Sequence, residues 1–126
     1  MVLEPHSTTN APAAIGPYSQ AMRASGTLFF MSGQIPLTAS GELETGSIKD
    51  QTEQVIANMR AVLESAGMDL SHVVKTTIFL SSMDHFGTVN EVYGAAFSTN
   101  PPARSTVAVA GLPRGVDVEI EAIAVY

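Results

Sequence analysis

The chain has 126 residues, a size that fits one compact domain, and its 45% hydrophobic content excludes a disordered chain. Only 14% of it is charged, against about a quarter in ordinary globular chains, so some surface is expected to be covered by further copies of the chain. The net charge is −6, with six bases spread singly along the chain, a pattern that disfavours nucleic-acid binding by clustered Lys and Arg.

No repeat or linker divides the sequence, so one domain over 1–126 is expected. Residues 27–32, Thr-Leu-Phe-Phe-Met-Ser, read as a buried strand ended by Gly33. Pro36 through Gly46 carries turn residues and reads as a loop or loose hairpin. Ser47 caps a helix over 48–66, with Asp50 in a capping-box position. Ile48, Thr52, Val55, Ile56, Met59, Val62, Leu63 and Ala66 form its apolar stripe, and Gly67 sits where a left-handed cap belongs. Residues 73–80 are β-branched and aromatic, hence a strand. Ser82 or Asp84 caps a second helix bearing Phe86, Val89, Tyr93, Ala96 and Phe97 on one face, which Asn100-Pro101-Pro102 ends. Strands over 104–110 and 117–125 flank a turn at 112–115. The order predicts an α+β fold, a mixed sheet of five or six strands with two helices on one face. The other face would then pack against neighbouring subunits.

With no cysteine, disulfides, zinc–thiolate sites and thiol nucleophiles are excluded. His6, His72 and His85 have no ligand-like spacing and read as surface or structural residues. The N-terminus lacks the pattern of a signal peptide, and no run nears the ~18–20 apolar residues of a membrane span, so a soluble cytoplasmic protein is expected. In the last strand, Glu119 and Glu121 share a face about 7 Å apart. That face fits a solvated edge more readily than a carboxylate that positions or deprotonates water, and both readings stay open. Arg104, behind the stiff Pro101-Pro102 lead, is either a surface arginine or a bidentate grip for a substrate carboxylate. Gly33 permits close backbone approach, or simply ends a strand. Tyr18 and Asn90 read singly as structural.

Taken together, several segments resemble the YjgF/RidA family of reactive-intermediate imine deaminases. They are Asn10 through Ala21, Ser32-Gly33-Gln34-Ile35-Pro36, Val74 through Leu80, Val89-Asn90-Glu91-Val92-Tyr93, Pro102 through Val107, and Val118 through Val125. The resemblance implies a chorismate-mutase-like α+β fold and a homotrimer with its clefts between subunits. It further implies hydrolysis of 2-imino or enamine acids, such as 2-iminobutanoate and 2-iminopropanoate released by pyridoxal-phosphate-dependent dehydratases, to 2-oxo acids and ammonia. No cofactor or metal is implied. Carried over by position, Arg104 would bind the carboxylate, Glu119 would hold the attacking water, and Gly33 would offer backbone contact to the imine end. Tyr18 and Ser32 would line the pocket and Asn90 would support it; Glu121 receives no role. Thr106 stands where some members have Cys; if that position contributes mainly its backbone N–H to the substrate carboxylate, Thr serves equally, and the change bears on substrate preference more than on activity. Two alternatives accompany this reading: a ribonuclease or translation inhibitor, which the scattered bases weigh against, and a non-enzymatic metabolite-binding or chaperone-like trimer.

Overall fold

The computed structural model describes residues 1–126. Six strands form, β1 Val2–His6, β2 Ala21–Ser25, β3 Leu28–Gln34, β4 Val73–Leu80, β5 Ala103–Ala108 and β6 Val118–Val125, with helices α1 Ile48–Ser65 and α2 Phe86–Ala96. The main sheet has the order β3-β6-β4-β5. Its β3–β6 and β6–β4 pairs are antiparallel and its β4–β5 pair is parallel, the crossover being made by α2. No helix is long and apolar enough to cross a membrane.

Strand alternation decides which residues meet the helices. In β4, Thr76, Ile78 and Leu80 are buried, and in β6 so are Val118, Ile120, Ala122 and Ala124. The apolar ones among these join Met31 of β3, Val55, Met59 and Leu63 of α1, and Val89 and Tyr93 of α2 in a seventeen-residue core. Each large aliphatic group buried there contributes roughly 1.5–3 kcal/mol. The opposite face keeps apolar groups in the open, with Leu28, Phe30 and Val107 all exposed.

Helix α1 begins where Ser47 Oγ accepts the Asp50 N–H at 3.1 Å. Only this arm of the expected capping box forms, because Asp50 turns its carboxylate toward Gly46. The helix ends in a Schellman arrangement: Met68 N–H donates to Leu63 O (2.9 Å), Gly67 N–H donates to Glu64 O (3.0 Å), and Gly67 takes φ +77°. Ser82 caps a single 3-10 turn, Met83–His85, that runs directly into α2. Between β3 and α1, the lone Leu37–Leu43 bridge makes the loose hairpin.

The sheet departs from the sequence expectation in one respect. Rather than one sheet of five or six strands, the six strands divide into the main four and a separate antiparallel pair, β1–β2. The cause lies at Gly26-Thr27. Thr27 pairs with Tyr126 through both backbone bonds (3.0 and 3.1 Å), and Gly26, at φ +133°, leaves room for the Tyr126 carbonyl, which a Cβ would meet at 2.9 Å. The chain is thereby drawn to the end of β6, and β2 does not fold back on β3.

Asp117, just before β6, ties three elements together. It accepts hydrogen bonds from Ser81 Oγ (2.7 Å) after β4 and from Gln51 Nε2 (3.0 Å) on α1, and His85 Nε2 stands 3.8 Å away. These two hydrogen bonds, Ser81 first, and the nearby His85 hold its carboxyl below the usual range.

Candidate active site

The entrance to β5 is stitched to the loop before β2. Ser19 Oγ donates to Pro101 O at 2.5 Å and its N–H donates to Pro102 O at 3.2 Å. Tyr18 is thereby held against the second residue of β5, Arg104. Parallel pairing with β4 sets Arg104 beside Thr76, on the face that the helices cover. Its guanidinium lies under α2, where Nη1 donates to Asn90 Oδ1 at 2.6 Å. The Arg104 Cζ is 5.3 Å from the ring centroids of Tyr18 and Tyr93 and 5.8 Å from that of Phe86.

No carboxylate answers this cation: the three ion pairs of the chain are Lys49–Glu53, His72–Asp69 and His85–Asp117. Burial lowers the Arg104 pKa, opposed by Tyr93 and Tyr18, but a guanidinium stays charged at neutral pH. A half-buried arginine walled by aromatic rings and lacking a counterion has free N–H donors of a geometry that suits a carboxylate. The Tyr93 phenol, pushed up to about 12 by burial against the opposing Thr76 hydrogen bond and Arg104 charge, is neutral at physiological pH.

A second cluster forms on the other face. Glu119 packs its side chain over Gly33, where a Cβ would stand 2.8 Å from the carboxyl carbon. A side chain at this position would have to displace the Glu119 carboxylate. The Glu119 carboxylate is half-buried and has no hydrogen bond or ion pair within the chain, leaving both oxygens able to accept from water. Ser32 precedes Gly33 in an irregular stretch of β3, where the register with β6 shifts between Met31 and Gln34. Gly33 also borders a cleft of ≈ 410 Å³ that Ile35, Asn58 and Val62 help to line. Glu121, further along the same face, is exposed.

Thr106 follows on β5 beside Ile78, two residues beyond Arg104 on the same face. Its Oγ1 is buried and has no hydrogen-bond partner.

The structure thus brings together Arg104, Tyr18 and Asn90 in one group and Gly33 and Glu119 in another, and does not unite the two groups. On β4 their neighbours are Thr76 and Phe79, and one strand intervenes, which puts the Arg104 and Glu119 Cα atoms about 14 Å apart. No cavity of the single chain contains either residue; the largest, ≈ 570 Å³, lies by the loop after β1 with His6 and Gln20. No group of three or more His, Asp or Glu side chains converges on a possible metal position. Sequence reasoning missed Phe86 and Tyr93 as parts of the site, assigning them to the core. The signal was present: Phe86, Asn90 and Tyr93 fall at i, i+4 and i+7 of α2, one stripe of a helix.

Comparison with known proteins adds the following. The sequence model of a family described as Endoribonuclease L-PSP matches residues 8–126. Protein DfrA of Myxococcus xanthus is 55% identical over 117 residues, covering 91% of this chain and 89% of its own. A mouse protein named 2-iminobutanoate/2-iminopropanoate deaminase is 51% identical over 120 residues, 94% of this chain and 88% of its own. Among solved structures, YyfB of Yersinia pestis, described as a protein of unknown function of the conserved Rid family, superposes with a TM-score of 0.91 at 28% identity, covering 100% of each chain.

Proposed function

We propose, because the chain belongs to the Endoribonuclease L-PSP family (the YjgF/RidA family), that it is a hydrolytic deaminase of 2-imino and enamine acids such as 2-iminobutanoate and 2-iminopropanoate. The observation that carries this reading is the half-buried Arg104 guanidinium, ringed by aromatic groups and without a carboxylate partner.

Arg104 grips the substrate carboxylate through two parallel N–H donors, and Asn90 fixes the plane of the fork. Holding that end orients C2 of the protonated imine, already an electrophile, toward a water on Glu119. Glu119 takes one proton as the water oxygen bonds to C2 and the C=N π electrons move to nitrogen. Glu119 returns that proton to the nitrogen of the tetrahedral carbinolamine, then takes the hydroxyl proton as the C=O bond forms and the C–N bond breaks, giving ammonia and the 2-oxo acid. Backbone groups at Gly33 and Ser32 lie next to the amino end, while Tyr18 lines the pocket beside Arg104 and Thr106 borders the carboxylate side. The chemistry needs no cofactor.

Arg104 and Glu119 lie too far apart in one chain to share a small substrate. The site is therefore completed between copies, which we take to be a homotrimer whose subunits meet through the open sheet face with Leu28, Phe30 and Val107. Substrates would come from pyridoxal-phosphate-dependent dehydratases, placing the enzyme beside them in the cytoplasm. The family description names an endoribonuclease, but the six bases are dispersed, and Arg104 alone among them lies in the aromatic pocket. A single small carboxylate suits that arrangement better than a phosphodiester chain.

The test is a coupled assay in which threonine dehydratase generates 2-iminobutanoate and semicarbazide competes for it. Restored 2-oxobutanoate formation by the wild type, but not by Arg104→Ala, is expected. Full turnover by Arg104→Ala overturns the assignment.

A further inference from the structure

Three rings surround the Arg104 guanidinium, and they are held very differently. Tyr18 sits on a loop, half-buried, with its hydroxyl reached only by the Ile15 N–H at 3.4 Å. Phe86 is half-buried at the first turn of α2 and has no polar tether. Tyr93 is 0% exposed, its hydroxyl stands 2.7 Å from Thr76 Oγ1, and its ring stacks on Phe97 at 4.5 Å. Thr76 is also the residue that β-pairing sets directly beside Arg104. The anchor of the ring and the neighbour of the cation are therefore the same residue, and the three groups close on one another.

We propose that Tyr93, locked by its hydrogen bond to Thr76, is a positioning residue that fixes the Arg104 guanidinium for the substrate carboxylate. An arginine side chain loses much rotamer freedom when immobilised. A platform that holds it before substrate arrives removes part of that loss from the binding step. Attraction between the cation and the ring face supplies the hold, strongest where water is excluded. Asn90 sets the rotation of the guanidinium about its long axis, whereas Tyr93 sets the plane against which it rests. A hydroxyl in the core with a single protein partner is otherwise an expensive way to fill space that phenylalanine could fill.

This inference rests on Arg104 being the carboxylate site, so its test measures ligand binding as well as turnover. The probe is the product 2-oxobutanoate, titrated calorimetrically into the purified oligomer, alongside the coupled assay. Tyr93→Leu removes the platform and is expected to raise KM and the 2-oxobutanoate Kd about tenfold while kcat stays within about twofold, since the reacting atoms are untouched. Thr76→Val alone strands a buried hydroxyl and lowers Tm. The double variant Thr76→Val/Tyr93→Phe removes both polar partners, and its Tm is expected to recover toward that of the wild type. If the hydrogen bond serves only the core, KM recovers with it; if it locks the platform, KM and Kd stay a few-fold raised, which is the expected result.

Wild-type affinity in a folded Tyr93→Leu protein, or in the double variant, overturns the proposal. A wild type that binds 2-oxobutanoate in a Tyr93-dependent manner yet turns over no imino acid overturns the deaminase reading and leaves the platform standing. A wild type that neither binds nor turns over overturns both.

Discussion

Arg104 and Glu119 stand on opposite faces of one sheet, the first beneath α2 beside Thr76, the second on the open face beside Phe79. Substrate atoms that must touch both cannot do so within one chain. If one copy supplies the guanidinium and its neighbour the carboxylate, two dead variants can repair each other. Arg104→Ala and Glu119→Gln, each expected to lose at least about 100-fold in kcat/KM, should regain activity when unfolded together and reassembled. With random mixing at equal amounts, about one site in four pairs an intact Arg104 with an intact Glu119. A reassembled mixture no more active than its components would place both groups in one chain's own site.

Asn90 accepts a hydrogen bond from the Arg104 guanidinium, 2.6 Å from Nη1. Replacing the amide by a carboxylate gives the guanidinium an internal anion that competes with substrate. Asn90→Asp is expected to raise KM by about 10–100-fold, since a charge-assisted bond of this kind is worth roughly 1.5–3 kcal/mol, with a much smaller effect on kcat. Steady-state rates over substrate concentrations that span KM decide the point. An unchanged KM would mean that Arg104 does not hold the carboxylate.

Gly33 lies beneath the Glu119 side chain, and a Cβ there would come within 2.8 Å of its carboxyl carbon. That carboxylate ends a flexible side chain on a half-open face, so it can swing aside without disturbing the core. Gly33→Ala is therefore expected to keep Tm within a few degrees, about 1 kcal/mol or less, while kcat falls about tenfold or more. A variant with normal kcat would show that Glu119 need not lie where the structure puts it.

Acid sensitivity should concentrate at Asp117. Its native pKa lies below the ordinary carboxylate value of about 3.9, because Ser81 and Gln51 donate to it and His85 is near. In the window between the two values the unfolded chain binds more protons than the folded one. Stability is then fully present above pH ~4 and is lost as pH falls through the native pKa. Asp117→Asn is expected to lower Tm at pH 6 and to flatten its fall between pH 4 and pH 2. A residual slope should remain from Asp69, held low chiefly by Ser71. Parallel Tm curves for the two proteins would exclude Asp117 as the titrating contact.

Much of this architecture is legible in the sequence, and the reason differs by element. β4 is bounded correctly at 73–80 because β-branched residues and alternate burial coincide there. α1 is legible from Ser47 to Gly67 because both caps are chemical signals local to the sequence. β1 and β2 were not seen. They contain Ala, Ser, Glu, Arg and a proline, most of their residues are exposed, and only pairing with each other makes them strands. Nor did Tyr93 announce a role beside Arg104. An apolar stripe on a helix encodes burial, whereas what the stripe is buried against depends on the parallel pairing of β4 with β5.

The unsatisfied hydroxyl of Thr106 has a consequence for how this chain can vary. A polar atom sealed in a strand without a partner costs about 1–3 kcal/mol, and valine, of the same shape, would recover it. Neighbouring residues have no bond to lose when the group at this position is exchanged. Here, two residues along β5 from Arg104, mutation can alter the polarity of the strand and the thermal reserve of the fold at a single locus, without waiting for a compensating change elsewhere.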